Sequence, residues 1–356
     1  MLNRIKKFFS NVSQDSLSKN LGKLSLVSLS DKDARANFAN NAGARWFKAG
    51  ADTSDGSGCL AVQKIKNNRV FLPEIRPGYS IEQSWKLFAI GSCFARGVEK
   101  ALMANGFDVL SAANDFDEFE LASPDVTPLG FTNKYTTCSI LNELRWSLVP
   151  NAAFPRDSIV AVNDGLYIDP HTNPALKLAD LPTTLYRREK IFTVNRRIKD
   201  CQLVVLTLGL VECWYDTLSS VYLNITPTPD MFSLYPNRYN LHVLGYEENM
   251  KNMNEIYEIL QKYGHPNLHI IVTVSPVPLL ATFTDRDVVV ANTFSKSVLR
   301  VVAEEWAAGK ANVNYFPSYE MVMNSQREVT WADDLRHVQG EVVQSIMGLL
   351  KKSYIK

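Results

Sequence analysis

Five short runs of nearly uninterrupted apolar residues recur along the chain: Lys86-Leu87-Phe88-Ala89-Ile90, Phe107-Asp108-Val109-Leu110, Leu203 to Leu208, His269 to Val274 and Val313-Asn314-Tyr315-Phe316. A strand with one wet face alternates apolar and polar residues, whereas these runs do not, so they read as strands covered on both faces, the condition of a parallel sheet. Helical spacing fills the intervals: Val98, Ala101 and Leu102 recur within Phe94 to Asn105 before Gly106, and further stretches lie near Glu247 to Lys262 and Asn292 to Ala308. Val338 to Lys352 reads as a closing helix. This βα repeat predicts a doubly wound three-layer αβα sandwich with a mainly parallel sheet.

The sandwich is expected over residues 85–356, preceded by an extension, 1–84, that packs on it and carries a short strand at Val70-Phe71-Leu72. Two intervals are too long for a minimal βα unit, about 111–200 and 216–246, and insertions of this length usually carry function. Tyr222, Tyr235, Tyr239 and Trp214 in or beside the second are candidates for stacking on sugar rings.

Lys plus Arg number 38 and Asp plus Glu 37, so no global field recruits nucleic acid. The cysteines Cys59, Cys93, Cys138, Cys201 and Cys213 are odd in number and lack a C-x-x-C pair, which argues against a disulfide framework or zinc knuckle and for a reducing, cytoplasmic setting. No apolar stretch reaches the roughly 20 residues of a membrane helix. Residues 1–12 place Leu2, Ile5, Phe8, Phe9 and Val12 on one helical face beside basic residues, a pattern suited to packing, or to weak contact with an anionic membrane surface or a partner. No metal-ligand spacing and no phosphate-binding loop is found, so neither metal nor cofactor is expected.

The chemistry-bearing residues stand at opposite ends of the main body. Ser92 follows the first apolar run in Gly91-Ser92-Cys93-Phe94-Ala95, and open parallel sheets bind ligands beyond the carboxyl ends of their strands. A serine opening a helix also has unused backbone N–H groups beside it, those of Ser92 and Cys93 among them, that can support an oxyanion. In Asp334-Leu335-Arg336-His337 a carboxylate precedes a histidine by three residues, so it can orient the imidazole that takes the serine's proton. Ser92, His337 and Asp334 are therefore the expected triad. Either segment alone is commonly a helix cap or a solvent-facing turn, and Cys93 is a rival nucleophile.

Gly91 to Ala95 is the signature of the GSCFA family, which the chain resembles over roughly Trp85 to Leu350, and that family resembles the SGNH, or GDSL-like, hydrolases. The resemblance implies a flavodoxin-like SGNH fold and a triad built from the serine of a first block and the D-x-x-H of a last block. Supporting segments are Thr207-Leu208-Gly209, Val274 to Pro278, and Phe316 to Glu320 ahead of Trp331. One block departs: where SGNH enzymes have Gly-x-Asn, with an asparagine amide for the oxyanion, this chain has Gly209-Leu210-Val211-Glu212. An ionised carboxylate donates no hydrogen bond. Cys93, Gly209, Asn133 and Glu212 are accordingly the oxyanion or substrate candidates, with a structural pairing open for Glu212. The expected function is a serine esterase or O-acyltransferase acting on an acylated carbohydrate or similar small-molecule or polysaccharide ester. The alternative is an inactive SGNH-like binding or scaffold protein.

Overall fold

Alternate residues of each central strand enter two different hydrophobic cores. Leu87, Ala89, Leu203, Val205 and Ile271 pack into one, and Phe88, Ile90, Val204, Leu206, Ile270 and Val272 into the other. Successive strand side chains point to opposite faces, so strands apolar at every position require a layer of helices on each side. With about 1.5–3 kcal/mol from each fully buried aliphatic side chain, neither face tolerates exposure to water.

The computed structural model of the chain describes residues 26–112, 116, 119–123, 130–173 and 175–355; the segment 1–12 considered above lies outside them. The described residues fall into two compact units, divided between Asn67 and Asn68. In the first, α1 (Asp31–Asn40) is capped by Ser30, whose hydroxyl accepts from Asp33 N, and α2 (Ala61–Asn67) buries Gln63, whose amide donates to Asp52 O at 2.6 Å.

The second unit holds a five-stranded parallel sheet in the order β10-β9-β5-β1-β2. Its strands are β1 (Lys86–Gly91), β2 (Asp108–Val109), β5 (Leu203–Leu208), β9 (His269–Val274) and β10 (Val313–Tyr315). Counting only these five, the order is 2-1-3-4-5, the flavodoxin-like arrangement, whose switch point falls between β1 and β5. The helices α3 (Cys93–Ala104), α9 (Ser318–Met323) and α11 (Gly340–Tyr354) contribute to one face's core. On the other lie α4 (Thr137–Leu148), α5 (Leu181–Asn195), α7 (Tyr246–Tyr263) and α8 (Val288–Ala307). The doubly wound sandwich is thus present. Among the described residues no helix is long and apolar enough to cross a membrane.

The insertions carry the antiparallel hairpin β3 (Val160–Asn163) and β4 (Leu166–Ile168), and α6 (Pro229–Leu234). They also carry most of a small antiparallel sheet of β6 (Glu212–Asp216), β7 (Val221–Tyr222) and β8 (Tyr239–Val243). Val160 and Val162 of the first insertion share a core with Leu223, Met231 and Tyr239 of the second.

Residues 68–84 group with the second unit: Ile81 bridges in parallel to Ile355, and the Tyr79 hydroxyl donates to Ile270 O at 2.8 Å. The strand expected at Val70-Phe71-Leu72 does not form, because Phe71 N is satisfied by the Ser325 hydroxyl at 2.8 Å rather than by a neighbouring strand. The second apolar run keeps only Asp108 and Val109 in the sheet before a 3-10 turn, α10 (Arg327–Thr330) being the remaining short helix.

Candidate active site

Gly91 ends β1 at φ +147°, a backbone state that side chains rarely adopt, and an added Cβ would meet Thr207 Oγ1 at 2.1 Å and Thr207 O at 2.2 Å. Only glycine lets the chain turn off β1 so close to β5. Gly91→Ala is expected to lose on the order of 3 kcal/mol of stability, measured as a lower urea midpoint, because the backbone of β5 cannot move aside.

The turn delivers Ser92 to the N-cap of α3, at the switch point between β1 and β5. A serine here normally caps its helix through Oγ. Ser92 makes no such bond; its hydroxyl is buried, with the residue 3% exposed, and has no hydrogen-bond partner among the described residues. An ordinary cap does not account for it.

The stretch 133–136 crosses the ends of both strands. Lys134 N donates to Gly91 O at 2.7 Å, Leu210 N donates to Tyr135 O at 2.8 Å, and Asn224 holds the same stretch through Tyr135 N and Asn133 O. Asn133 is thereby fixed beside the Ser92 turn; its Oδ1 is buried without a partner, and its Nδ2 makes only a 3.4 Å bond to the Tyr135 hydroxyl. Gly209 lies against the serine: a Cβ there would stand 3.4 Å from Ser92 Cβ and 2.5 Å from Tyr135 O.

Beneath this stretch is a buried charge cluster. Glu143 pairs with Lys134 at 2.8 Å and Arg188 at 2.9 Å, and Arg188 also binds Asp169. Burial alone would push the Glu143 carboxyl up, but Lys134 and Arg188 outweigh it and hold it below its ordinary value.

The Asp334–His337 pair forms. His337 Nδ1 is 2.5 Å from Asp334 Oδ2, while Asp334 Oδ1 accepts the N–H groups of Arg336 and His337, each at 3.0 Å. Those bonds, the His337 N–H first, then the Arg336 N–H and the imidazole, hold the Asp334 carboxyl well below the usual carboxylate range. The turn is closed by Ala332 N to His337 O and passes through Leu335 at φ +52°.

Ser92 is not joined to this pair. Its hydroxyl has no partner, and Nε2 of His337, the nitrogen a serine would use, faces Arg336 Nη1 at 3.3 Å. Arg336 also donates to Pro278 O at 3.3 Å, and its charge bears on Cys93 and Tyr135, so the turn's guanidinium reaches the neighbourhood of the serine. The Cys93 thiol is pushed up by burial, against the opposing charges of Arg336 and Lys296, which leaves it a poor thiolate at neutral pH.

Beside Tyr135 and Arg336 opens a cleft of about 430 Å³ lined also by Leu210, Glu212, Trp214, Asn224, Leu279 and Phe283. Glu212 accepts from the Thr282 hydroxyl at 2.7 Å and from Phe283 N at 3.3 Å, so its carboxylate tethers the loop at the cleft's rim. Of the four aromatics expected to meet sugar rings, Trp214 lines the cleft. Tyr239 instead packs in the core shared by the insertions, Tyr235 lies partly buried against that core with its hydroxyl donating to Ala161 O at 3.0 Å, and Tyr222 turns to His242. Alternation within short strands places such rings, and it was not readable through that loop-rich stretch.

Two neighbours went unread in the sequence: Arg336, although it stands inside the D-x-x-H segment, and Lys296 on α8. Lys296 shares the buried helical face of Ala291, Ser295, Leu299, Val302 and Trp306, and a lone lysine on an apolar stripe was the available signal.

No curated protein sequence matches the chain. Among solved structures, one similar to it is described as "Crystal structure of a Corynascus thermopiles (Myceliophthora fergusii) carbohydrate esterase family 2 (CE2) enzyme plus carbohydrate binding domain (CBD)". The identity is 14%, the TM-score 0.33, and the match covers 80% of this chain and 68% of that one. The model of the GSCFA family matches residues 86–349, around the Gly91-to-Ala95 turn and the Asp334–His337 pair, and the chain belongs to the GSCFA family.

Proposed function

We propose that this protein is a serine-dependent esterase or O-acyltransferase that forms a seryl ester at Ser92, with His337 as the base and Asp334 as its orienting acid. The observation that carries the reading is the Ser92 hydroxyl, buried and without a partner among the described residues, at a helix N-terminus at the switch point between β1 and β5. Asp334, acceptor-only when ionised, keeps the proton of His337 on Nδ1 and leaves Nε2 to accept. Arg336 has to leave Nε2 for the serine to reach it. Ser92 Oγ then attacks the acyl carbon as Nε2 takes its proton, the departing alcohol receives that proton, and water or an acceptor hydroxyl resolves the ester. Backbone N–H groups at the start of α3 and the Asn133 amide are the oxyanion donors available. The cleft beside Trp214 and Phe283 suits a polar acceptor with apolar ring faces, which supports an acylated carbohydrate or similar small-molecule or polysaccharide ester.

Incubation with an activated acetate ester is expected to add one acetyl group, located by peptide mass spectrometry on Ser92 and retained in Cys93→Ala. An adduct on Cys93 would reassign the nucleophile. A binding or scaffold role has one observation in its favour, the Arg336 contact that occupies Nε2. The absence of any adduct with acetyl, longer acyl or aromatic esters would decide for it.

A further inference from the structure

Lys296 is 1% exposed, yet no carboxylate pairs with it among the described residues. Its ammonium rises from α8 to the loops that leave β5 and β9 and donates to Gly209 O and Val277 O, each at 2.7 Å. The titratable and charged groups that bear on it are the Cys93 thiol at the start of α3 and the Arg336 guanidinium. A buried charge without a counter-ion is costly, and two carbonyls can be satisfied by a neutral donor at less expense. The position of the cation is what distinguishes it: the carbonyl it holds belongs to Gly209, which lies against Ser92. Burial brings the amine's ionisation down to about 7, within reach of ordinary assay conditions.

We infer that Lys296 is a positioning residue for the ester chemistry at Ser92, holding the Gly209 turn against the serine. Its positive charge lies near the start of α3, where the acyl oxygen becomes an oxyanion. It compensates for the asparagine amide that the Gly209-to-Glu212 segment lacks. The inference rests on the seryl-ester reading and adds to it the source of the electrostatic support.

The test compares wild type, Lys296→Met and Lys296→Gln in single-turnover acylation by an activated acetate ester from pH 6 to 9. In wild type the acylation rate is expected to fall on the alkaline side as the amine loses its proton. Both variants should acylate on the order of 10²-fold more slowly, with KM changed less than about threefold, and should lack that alkaline limb. Gln keeps neutral donors, so a recovered rate in Gln alone would overturn the role of the charge.

The linkage has a defined sign. Between about 7 and the ordinary lysine value of 10.5 the unfolded chain holds one more proton at this site, so its contribution to stability rises with pH. The urea midpoint of wild type should therefore gain on that of Lys296→Gln between pH 7 and 9. If Lys296→Met does not fold, Gln and the wild-type profile still decide: a flat profile with a normal Gln rate overturns the inference. If Ser92→Ala acylates like wild type, the seryl-ester reading falls and takes this inference with it. A dead Ser92→Ala beside normal Lys296 variants overturns this inference alone.

Discussion

Ser92→Ala should lower turnover of an acyl ester by about 10⁴-fold or more, while the folded protein becomes no less stable and gains up to about 1 kcal/mol. The two effects have one cause. The hydroxyl is desolvated and bonded to nothing, so its removal deletes an unsatisfied polar group and leaves the helix without loss of a cap. A residue kept for stability behaves the other way. Steady-state kinetics with urea denaturation on one preparation checks both halves, and a variant that loses stability in proportion to activity would return Ser92 to a structural part.

Glu143→Ala is expected to be the most damaging single change to the fold, at about 3–5 kcal/mol. Glu143 accepts from Lys134, from Arg188 at 2.9 and 3.1 Å, and from Asn195 at 3.0 Å, and its removal leaves the buried Lys134 ammonium with no carboxylate partner among the described residues and Arg188 with Asp169 alone. The loss should reach activity as well, because Lys134 is the residue whose backbone binds Gly91 O beside the serine. Because the Glu143 carboxyl is held below its ordinary value of 4.5 in the fold, its stabilisation is present above that value. It is lost as pH falls through the folded-state ionisation. Denaturation of wild type below pH 4.5 that is shallower in Glu143→Gln would verify the sign.

What was legible in the sequence follows from the kind of force involved. The runs at 86–90, 203–208 and 269–274 became strands because nearly every residue in them is apolar and only a covered sheet accepts that pattern. Asp334 and His337 were legible because three residues is the span of one turn. The order of the strands was expected only through the family resemblance, since neither pattern nor propensity records which strand pairs with which. The Arg336 contact at Nε2 was not legible, because it depends on the rotamer of one long side chain. Val70 to Leu72 misled because apolar β-branched composition marks burial as readily as it marks a strand. Tyr235 and Tyr239 misled because aromatics serve the interior of a subdomain as readily as a ligand.

The pairing of β1 with β5 has a consequence for the chain during its synthesis. Leu87 to Ile90 leave the ribosome well before Leu203 to Leu208, and at 5–20 residues per second the first strand waits on the order of 10 s for its neighbour. Through that interval β1 has only β2 and α3 beside it, and its edge toward β5 stays unpaired. Translation speed and holdase chaperones, rather than the final free energy of the native state, should then govern how much of this protein a cell recovers in folded form.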